Sequence, residues 1–525
     1  MNDDFDALVQ KTFYTLMEFK PDFASYLGLH EYDTRMPSPT RETHLIFIET
    51  LKDSIEQFRA IPEGYLSKDR RIDQKLMIYI LKNHIFEEDK IRRWEKDPDV
   101  VDILGHALFP LFAREFAPFE ERLERITARV AKIPRYIKEF KTAIGTPVQL
   151  WVDMAREACS DFPLFLQAIC AAAQQRGLDT TELEDGVAKT KDALSGYVSW
   201  LDTVPCEGNP ALGRSLFEEL LQVREIGLTA DEILELGEMY LTQEKKNLEK
   251  LRSHISFQDT NGFQKESQKY TFEDEVNDFQ KAITETRNLV KEREFATLPK
   301  NERLIVMETP SFLRHVIPGA ACFPPAKFEE EQVGFYFLTP PEGEVKRREY
   351  RSILNVSVHE GYPGHHLQVT WANENPSLVR ALSDAPEFVE GWAHYCEEKM
   401  RDYGLDDVEF QAIQSGYIFF RAARIIIDVR LQRGEMTVDQ GISFLKSEVG
   451  MNDRIAAIEV KRYTKTPGQP LSYLIGKHLL LQVQKKVKEH FGEKYSDKKF
   501  HDAVLQAGSI PFPYLREDLK LKGML

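Results

Sequence analysis

Hydrophobic residues recur at helical spacing through most of the first 300 residues of this chain. The clearest run extends from Arg71 to Glu95, and the same spacing predicts further long amphipathic helices over residues 118–143, 180–203, 229–255 and 271–295. Thr229, followed by Glu232 three residues later, has the form of a capping box at the start of the fourth of these helices. The polar segment 256–270 is predicted to be an exposed loop.

The pattern changes between residues 302 and 341, where helical periodicity gives way to short β-type runs. These runs cover residues 303–308 and 334–338, and prolines and glycines separate them. Helical spacing then resumes and continues to the C-terminus. We therefore predict a mostly α fold with one small β patch. A helical lobe of residues 1–300 and a second lobe of residues 301–525 are expected to pack as one continuous globular unit.

Length and composition are those of an ordinary globular protein. The 525 residues can bury a large core, and 42% hydrophobic with 29% charged residues is a typical mixture. The net charge of −16, with no broad basic stretch, argues against nucleic-acid binding and against an anionic membrane surface. No apolar run reaches the ~18 residues of a membrane span. We therefore expect neither a nucleic-acid partner nor a membrane partner.

The N-terminus and the cysteines favour a reducing compartment. The first residues, Met1 to Asp6, are acidic and lack an apolar segment, so no secretory signal peptide is expected. The five cysteines are scattered along the chain without C-x-x-C spacing. A cytoplasmic location is therefore predicted. The sequence leaves the oligomeric state open, and a homodimer is compatible with it.

Candidate chemistry begins with the segment from His359 to His366, which reads His-Glu-Gly-Tyr-Pro-Gly-His-His. Imidazoles bind zinc, and a glutamate beside the first histidine, here Glu360, can take a proton from metal-activated water. The usual zincin helix carries its two histidines at positions i and i+4. Here the second histidine group lies at i+6 and i+7, so the match to that pattern is imperfect.

Pro363 and Gly364 offer a physical explanation for the longer spacing. On a continuous helix His366 would lie roughly 10 Å further along the axis than His359, which is too far to share a metal ion. Pro363 removes the amide that would bond to the carbonyl of His359, and Gly364 tolerates unusual backbone angles. We predict that this bulge brings His365 back as the second ligand, while the reverse assignment to His366 stays open.

A third ligand is expected from a segment that begins about 25 residues downstream. Glu390, His394 and Glu397 share one face of a helix, and apolar neighbours such as Trp392 predict that this helix is buried. A buried carboxylate or imidazole needs a hydrogen-bond partner or a metal ion. We predict Glu390 as the third ligand and Glu397 as the acceptor that orients a ligand imidazole. His394 is interpreted as a packed histidine beside the site rather than a ligand.

Three ordered motifs resemble a known family. They are HEGYPGHHLQ (359–368), EFVEGWAHYCE (387–397) and RYTKTPGQPLSYLIGK (462–477). Together they are similar to a widespread family of zincin-like, gluzincin-type proteins that was long catalogued as a domain of unknown function. That family is similar in its helical fold to the oligopeptidases and to the carboxypeptidases of the thermostable type. The resemblance covers roughly residues 300 to 510 by motif.

The resemblance implies a metal site within a large helical fold. It implies one Zn²⁺ bound by His359, His365 and Glu390, with Glu360 as the general base. A small sheet just before the metal helix is what a zincin would use to bind an extended peptide through main-chain hydrogen bonds. The chain departs from the family pattern at His394, where an apolar residue is expected after Glu-Gly-Trp-Ala.

Two later pairs could complete the site. Arg424 and Asp428, at i and i+4 in an apolar helix, are most simply an internal salt bridge; alternatively, Asp428 orients a ligand histidine or Arg424 binds a substrate carboxylate. The hydroxyl of Tyr473 could donate to an oxyanion, and Lys477 one turn later could bind a C-terminal carboxylate. Their plainer interpretation is an interfacial tyrosine and a solvated lysine. His366 is expected beside the metal or in contact with substrate.

These residues, with the resemblance, predict a zinc metallopeptidase, and short peptides are favoured as its substrates by fold-level analogy alone. Glu360 would take a proton from the activated water and pass it to the leaving amine, and Tyr473 would donate to the oxyanion. Fold-level analogy favours a carboxypeptidase-like mode. A zinc hydrolase of a non-peptide amide or ester would use the same residues. A non-catalytic binding protein with a relic metal site is a further alternative, although the intact Glu360 counts against it.

Overall fold

Helices dominate the computed structural model, which describes residues 2–258, 270–309, 320–341, 345 and 347–525. Of the described residues, 72% are helical and 3% lie in strands, which confirms the predicted mostly α fold with a small β patch.

The helices before the sheet account for most of the N-terminal part. They are α1 (Asn2–Phe19), α2 (Pro21–Tyr26), α3 (Arg41–Arg59), α4 (Lys68–Ile85), α5 (Arg93–Lys96), α6 (Val100–Ala113), α7 (Phe119–Val130), α8 (Ile133–Ala143), α9 (Gln149–Gln174), α10 (Thr181–Leu201), α11 (Arg214–Val223), α12 (Ala230–Gln258) and α13 (Phe272–Glu292). Three of them, α10, α12 and α13, follow the predicted helices closely.

The predicted capping box opens α12. The amide of Thr229 donates to a carboxylate oxygen of Glu232 (2.8 Å), and the amide of Glu232 donates to the hydroxyl oxygen of Thr229 (3.2 Å). The predicted loop at 256–270 begins later than expected, since α12 continues to Gln258. The remainder of that prediction, residues 259–269, lies outside the described residues.

Two of the predicted long helices are interrupted. In the segment 71–95, α4 is followed by a π-helical turn at Phe86–Ile91 and then by Arg92, whose positive φ of 52° ends the helix. In the segment 118–143, α7 and α8 are separate helices. Pro134 explains this second break, because proline is tolerated in the first turn of a helix but not in its interior.

The sheet has three strands, β1 (Glu302–Glu308), β2 (Ala320–Phe323) and β3 (Gln332–Leu338), in the order β1-β3-β2. β1 runs parallel to β3, and β2 runs antiparallel to β3. The sequence pattern predicted β1 and β3 but not the short edge strand β2. The thiol of Cys322 on β2 donates to the carbonyl of Glu360 (3.8 Å), so the edge strand β2 lies beside the segment from His359 to His366.

Helices resume after the sheet and carry the candidate site. They are α14 (Tyr350–Glu360), α15 (His365–Glu374), α16 (Leu378–Ala381), α17 (Pro386–Lys399), α18 (Val408–Gln432), α19 (Val438–Phe444), α20 (Asp453–Lys465), α21 (Gln469–Phe491), α22 (Asp497–Gln506) and α23 (Phe512–Leu521).

The largest hydrophobic core crosses the predicted boundary between residues 300 and 301. Its buried members extend from Phe5 to Leu519, and Trp392 is among the largest of them. The indole of Trp151 also donates to the hydroxyl of Thr464 (2.9 Å) across the two parts. A second core cluster joins helices α6 to α10 to the sheet. The division into two lobes stays a prediction.

All five cysteines fall within the described residues and are free thiols. Burial raises the pKa of the Cys396 thiol, which suits this side chain to packing rather than to reactivity. Among the helices that the structure describes, none has the length and apolar composition needed to cross a membrane.

Candidate metal centre

The segment from His359 to His366 is divided between two helices, because α14 ends at Glu360 and α15 begins at His365. The amide of Gly364 donates to the carbonyl of Val358 (2.9 Å), which folds the connecting turn back against α14. A Cβ atom on Gly364 would lie only 1.9 Å from the carbonyl oxygen of His359. Close approach of the backbone therefore requires glycine here, and the predicted bulge is a complete break in the helix.

This break brings two histidines together with a glutamate of α17. Among the described residues, His359, His365 and Glu390 form one group whose potential ligand atoms all lie within 4.8 Å of one another. Oε2 of Glu390 is 3.3 Å from Nε2 of His365 and 3.6 Å from Nε2 of His359. The two imidazole planes meet at 84°, with their centroids 4.7 Å apart. His365, rather than His366, therefore joins His359 in the cluster.

The three side chains fit a zinc ion by donor type and by spacing. Tetrahedral zinc with bonds of ~2.0–2.1 Å places neighbouring ligand atoms about 3.3 Å apart, close to the two distances from Oε2 of Glu390 to the imidazoles. Oε2 of Glu390 is buried and has no hydrogen-bond partner among the described residues. Two imidazoles and one carboxylate also leave a fourth position free, as in catalytic zinc sites. The cluster is therefore suited to a divalent ion of this kind.

A buried carboxylate behind His359 sets its orientation. Nδ1 of His359 lies 2.6 Å from Oε1 of Glu397, so the Nδ1 proton is donated to Glu397 and Nε2 is left to face the cluster. Glu397 thus lies where the helical spacing predicted it, behind a candidate ligand. His365 has no equivalent contact, because its Nδ1 is buried without a hydrogen-bond partner in the described part of the chain.

Glu397 is itself held by a guanidinium group from α18. Arg421 donates to its two carboxylate oxygens, at 2.7 Å and 3.4 Å, and Nδ1 of His394 lies 3.3 Å from Oε2. Burial alone would raise the pKa of the Glu397 carboxyl, but the Arg421 charge and the two histidines hold that pKa well below its ordinary range. Burial and the Arg421 charge lower the pKa of His394, which is consequently a neutral, packed histidine.

The electrostatics of the cluster favour a cation. Burial opposes a positive charge on His359, but Glu390 and Glu397 outweigh burial and raise the pKa of His359 to about 9. Burial likewise opposes a negative charge on Glu390, but the adjacent imidazoles of His359 and His365 hold the pKa of its carboxyl well below the usual value. The carboxylates that stabilise an imidazolium would also stabilise a bound metal, so protons and metal ions compete for this site.

The start of α21 positions Glu390. Nε2 of Gln469 donates to Oε1 of Glu390 (3.0 Å), which leaves Oε2 for the cluster. Helices α17 and α21 can approach closely because Gly391 and Gly476 face each other where they cross. A Cβ atom on Gly476 would lie 1.8 Å from the carbonyl oxygen of Glu387. Both glycines belong to the sequence motifs, and close helix packing is the physical reason for them.

The cluster opens into a cavity of about 400 Å³. Glu360 and Tyr473 line this cavity together with His359, His365 and Glu390. Helix α2, strand β2 with the segment after it, and the loop between α16 and α17 form its other walls. Small-molecule sites have volumes of this order. The reactive groups therefore face a space that suits a small molecule or a short peptide segment.

Tyr473 lies directly beside the cluster. Its ring is nearly parallel to that of His359, at 13° with the centroids 6.1 Å apart, and the Arg424 guanidinium lies 4.9 Å from its centre. Burial and the Glu390 charge raise the pKa of Tyr473. The phenol is consequently protonated at neutral pH and can donate a hydrogen bond.

His366 points away from the cluster, toward the sheet. Its Nε2 lies 3.0 Å from Oε2 of Glu302 on β1, and Glu302 also accepts hydrogen bonds from Tyr362 and Arg287. Successive side chains on a helix differ by about 100° in direction, which explains why adjacent histidines have different partners. The structure therefore corrects the expectation that His366 lies beside the metal or contacts substrate. It joins α15 to the sheet.

Lys477 is also placed differently from its predicted role. Its side chain is 4% exposed and forms an ion pair with Glu398, and the cavity lining does not include it. Lys477 therefore does not line the cavity in which a substrate carboxylate was expected to contact it. It is not a solvated lysine either. Lys477 follows the Gly476 crossing on α21, and its buried ammonium needs an ionic partner, which Glu398 of α17 supplies with a side chain that is 44% exposed.

Arg424 and Asp428 do not pair with each other, so their simplest interpretation was wrong. Arg424 instead donates to Glu459 (3.0 Å) and to the hydroxyl of Tyr463 (3.0 Å), both on α20. Oδ1 of Asp428 accepts the amide of Gly468 (3.2 Å) at the start of α21. Burial raises the pKa of Asp428 to about 7, against the backbone hydrogen bonds that lower it. Each of the two side chains therefore has a partner outside α18 instead of the residue four positions away on its own helix.

Three residues of the site were missed by reasoning from sequence. Arg421 had a signal, since a charged residue inside a long apolar helix needs a buried partner. Gln469 lay within a motif but was not singled out, although it is the polar residue of Pro-Gly-Gln-Pro. Asp384, which lines the cavity, lies in a short loop with no periodic pattern, so no local signal marked it.

A family model matches residues 21–519 of the chain, and that family is described as "Bacterial protein of unknown function (DUF885)". The chain belongs to the DUF885 family. No match to a curated protein is found. The sequence motifs resembled a family long catalogued as a domain of unknown function. The family assignment agrees with that part of the resemblance.

Two solved structures have the fold of this DUF885 member along nearly all of its length. A protein from Shewanella oneidensis, described as a "putative lipoprotein of unknown function", is 21% identical with a TM-score of 0.78, and the match covers 98% of this chain and 99% of that one. A "putative lipoprotein" from Colwellia psychrerythraea is 16% identical with a TM-score of 0.83, covering 99% of each chain. At these identities the likeness shows the fold alone.

Proposed function

We propose that this protein is a metal-dependent hydrolase that cleaves amide bonds in short peptides. The observation that supports this most strongly is the cluster of His359, His365 and Glu390 with Glu360 at the same cavity wall. Two imidazoles and a carboxylate with an open position are the donor set of catalytic zinc sites. A bound zinc ion would polarise a carbonyl group and lower the pKa of water.

The side chains of the protein would carry the remaining steps. Glu360 would accept a proton from the attacking water and return it to the leaving amine. Tyr473, protonated at neutral pH, would donate a hydrogen bond to the developing oxyanion. Glu397 would keep His359 in the tautomer that presents Nε2 to the cluster. The edge strand β2 would align an extended substrate through main-chain hydrogen bonds.

Metal content tests the ligand set directly. Wild-type protein is expected to hold about one zinc ion per chain by elemental analysis, and His365→Ala and Glu390→Ala are expected to lose it. His366→Ala is the matched control, because it removes the neighbouring imidazole, which contacts Glu302 instead. Circular dichroism would establish that each variant is folded. Wild-type protein that binds no zinc after reconstitution would contradict the proposal.

Glu360→Gln tests the base without removing a ligand. This variant should keep its zinc and lose about 10²–10⁴-fold in the rate of peptide hydrolysis, the usual contribution of a general base. Glu374→Gln, which changes an exposed carboxylate at the end of α15, should retain full activity. Undiminished hydrolysis by Glu360→Gln would refute the role of this residue. Cleavage of non-peptide amides or esters alone would change the substrate class.

A further inference from the structure

One carboxylate at the cavity wall has no part in the proposed hydrolysis. Asp384 lies in the loop between α16 and α17 and lines the same cavity as the metal cluster. Its side chain is exposed. Even so, the surrounding protein is dense enough that burial, together with the Glu390 charge, raises the pKa of its carboxyl. The exposed surface of Asp384 therefore faces the cavity rather than the outside of the molecule.

No ion pair neutralises Asp384 within the part of the chain that the structure describes. The charges of His365 and Arg224 attract it from a distance. Arg224, however, lies 2.6 Å from a carboxylate oxygen of Glu387, and Nε2 of His365 faces Glu390. Both positive groups are thus directed at other carboxylates, which leaves Asp384 available to a ligand.

The basic side chains Lys327 and Arg380 at the cavity, in contrast, already have partners. Nζ of Lys327 donates to the carbonyls of Asn373 (3.0 Å) and Asn375 (2.7 Å) at the C-terminal end of α15. Arg380 forms ion pairs with two aspartates. Lys327 and Arg380 thus already have hydrogen-bond or ion-pair partners, whereas Asp384 has neither among the described residues and is open to a ligand ammonium.

We propose that Asp384 binds the free α-amino group of the substrate, so that the enzyme selects short peptides by their amino terminus. A single carbon atom separates the α-amino nitrogen from the first peptide carbonyl. A group that binds the ammonium must therefore lie near the group that polarises the carbonyl, and Asp384 lines the same cavity as His365 and Glu390. The cleavage mode rests on the proposed function, but the preference for an amine does not. Cleavage at the amino terminus replaces the carboxypeptidase-like mode that fold analogy favoured.

Binding of two small ligands tests this inference without requiring turnover. L-leucinamide carries the ammonium group, and N-acetyl-L-leucinamide lacks it. Isothermal titration calorimetry at pH 6.5, where an α-amino group is protonated, would compare them on zinc-loaded and on metal-free protein. We expect wild-type protein to bind L-leucinamide at least about tenfold more tightly, as a hydrogen bond between charged groups provides.

The variants make the assignment specific. Asp384→Asn should bring the ratio of the two affinities close to one, with unchanged zinc content and unchanged affinity for the acetylated ligand. Glu374→Gln, which removes an exposed carboxylate outside the cavity lining, should keep the wild-type preference.

Several outcomes would overturn the inference. They are equal affinity of wild-type protein for the two ligands, no measurable binding of L-leucinamide, or an undiminished preference in Asp384→Asn. Loss of zinc in Asp384→Asn would also overturn it and would assign this residue to metal binding. Wild-type protein that prefers the amine but neither binds zinc nor hydrolyses peptides would refute the proposed function alone. Equal hydrolysis of free and N-acetylated peptides would refute the amine preference alone.

Discussion

Replacing Gly476 by alanine should force apart the two helices that position Glu390. The added Cβ atom would lie 1.8 Å from the carbonyl oxygen of Glu387 on α17. Carbon and oxygen atoms do not approach closer than about 3 Å, so α17 and α21 would have to separate by more than about 1 Å. The contacted atom is backbone, so no side-chain rotation can relieve the clash.

The consequences of that movement follow from the distances at the site. The hydrogen bond from Gln469 to Glu390, now 3.0 Å, would stretch beyond hydrogen-bonding range whichever helix moved. Overpacking typically costs about 1–3 kcal/mol, and losing a hydrogen bond to a charged group costs about 1.5–3 kcal/mol. We therefore expect Gly476→Ala to lose about 3 kcal/mol or more of unfolding free energy. Because zinc sites tolerate displacements of only about 0.2 Å, zinc affinity should fall at least tenfold.

Gly416→Ala provides the matched control. Gly416 also lies inside a long helix, α18, but a Cβ atom there would meet nothing within 4 Å. Alanine is the better helix former, so this variant should gain about 0.5–1 kcal/mol. Urea denaturation would give both free energies, and competition with a chelator would give zinc affinity. A Gly476→Ala protein with wild-type stability and zinc affinity would refute the argument from helix contact.

Two further perturbations test the groups behind the cluster. Glu397→Gln should lose about 3–5 kcal/mol of unfolding free energy, measured by urea denaturation, because it leaves Arg421 as an unpaired buried charge. The double variant Glu397→Gln with Arg421→Met should recover part of this loss. Equal losses in the single and the double variant would contradict the pairing. Because burial raises the pKa of Asp428 to about 7, the folded state keeps a proton that the unfolded state releases above about pH 4. Stability from this group is therefore present at low pH and lost as pH rises to about 7. Between pH 5 and pH 8 the wild-type unfolding free energy should therefore fall by roughly 2–3 kcal/mol more than that of Asp428→Asn. The same pH dependence in both proteins would refute this role of Asp428.

The local features of the fold could be predicted from the sequence because they depend on neighbours along the chain. Helical periodicity identified α10, α12 and α13, and the Thr229 capping box needed only a residue three positions away. The β runs marked β1 and β3. Where a prediction failed, as at Arg92 and Pro134, the cause was a backbone change within a segment of continuous apolar spacing.

The candidate ligands could also be named from sequence, because metal chemistry restricts the residue types and helical geometry restricts their spacing. His359 and Glu390 followed from this argument, and a break at Pro363 followed from the missing amide. The sequence could not decide between His365 and His366, because that choice depends on the direction in which the new helix starts. Only the folded turn, with Gly364 against the end of α14, determines that direction.

What the sequence by itself determined is the helical fold class and a set of candidate metal ligands, since both follow from local spacing. The tertiary structure decided which charge meets which partner. Lys477 pairs with Glu398, and Arg421 supports Glu397. Asp384 was left facing the cavity without an ion pair among the described residues. These pairings join helices that are distant in the chain, and a buried charge takes whichever partner packing brings within reach.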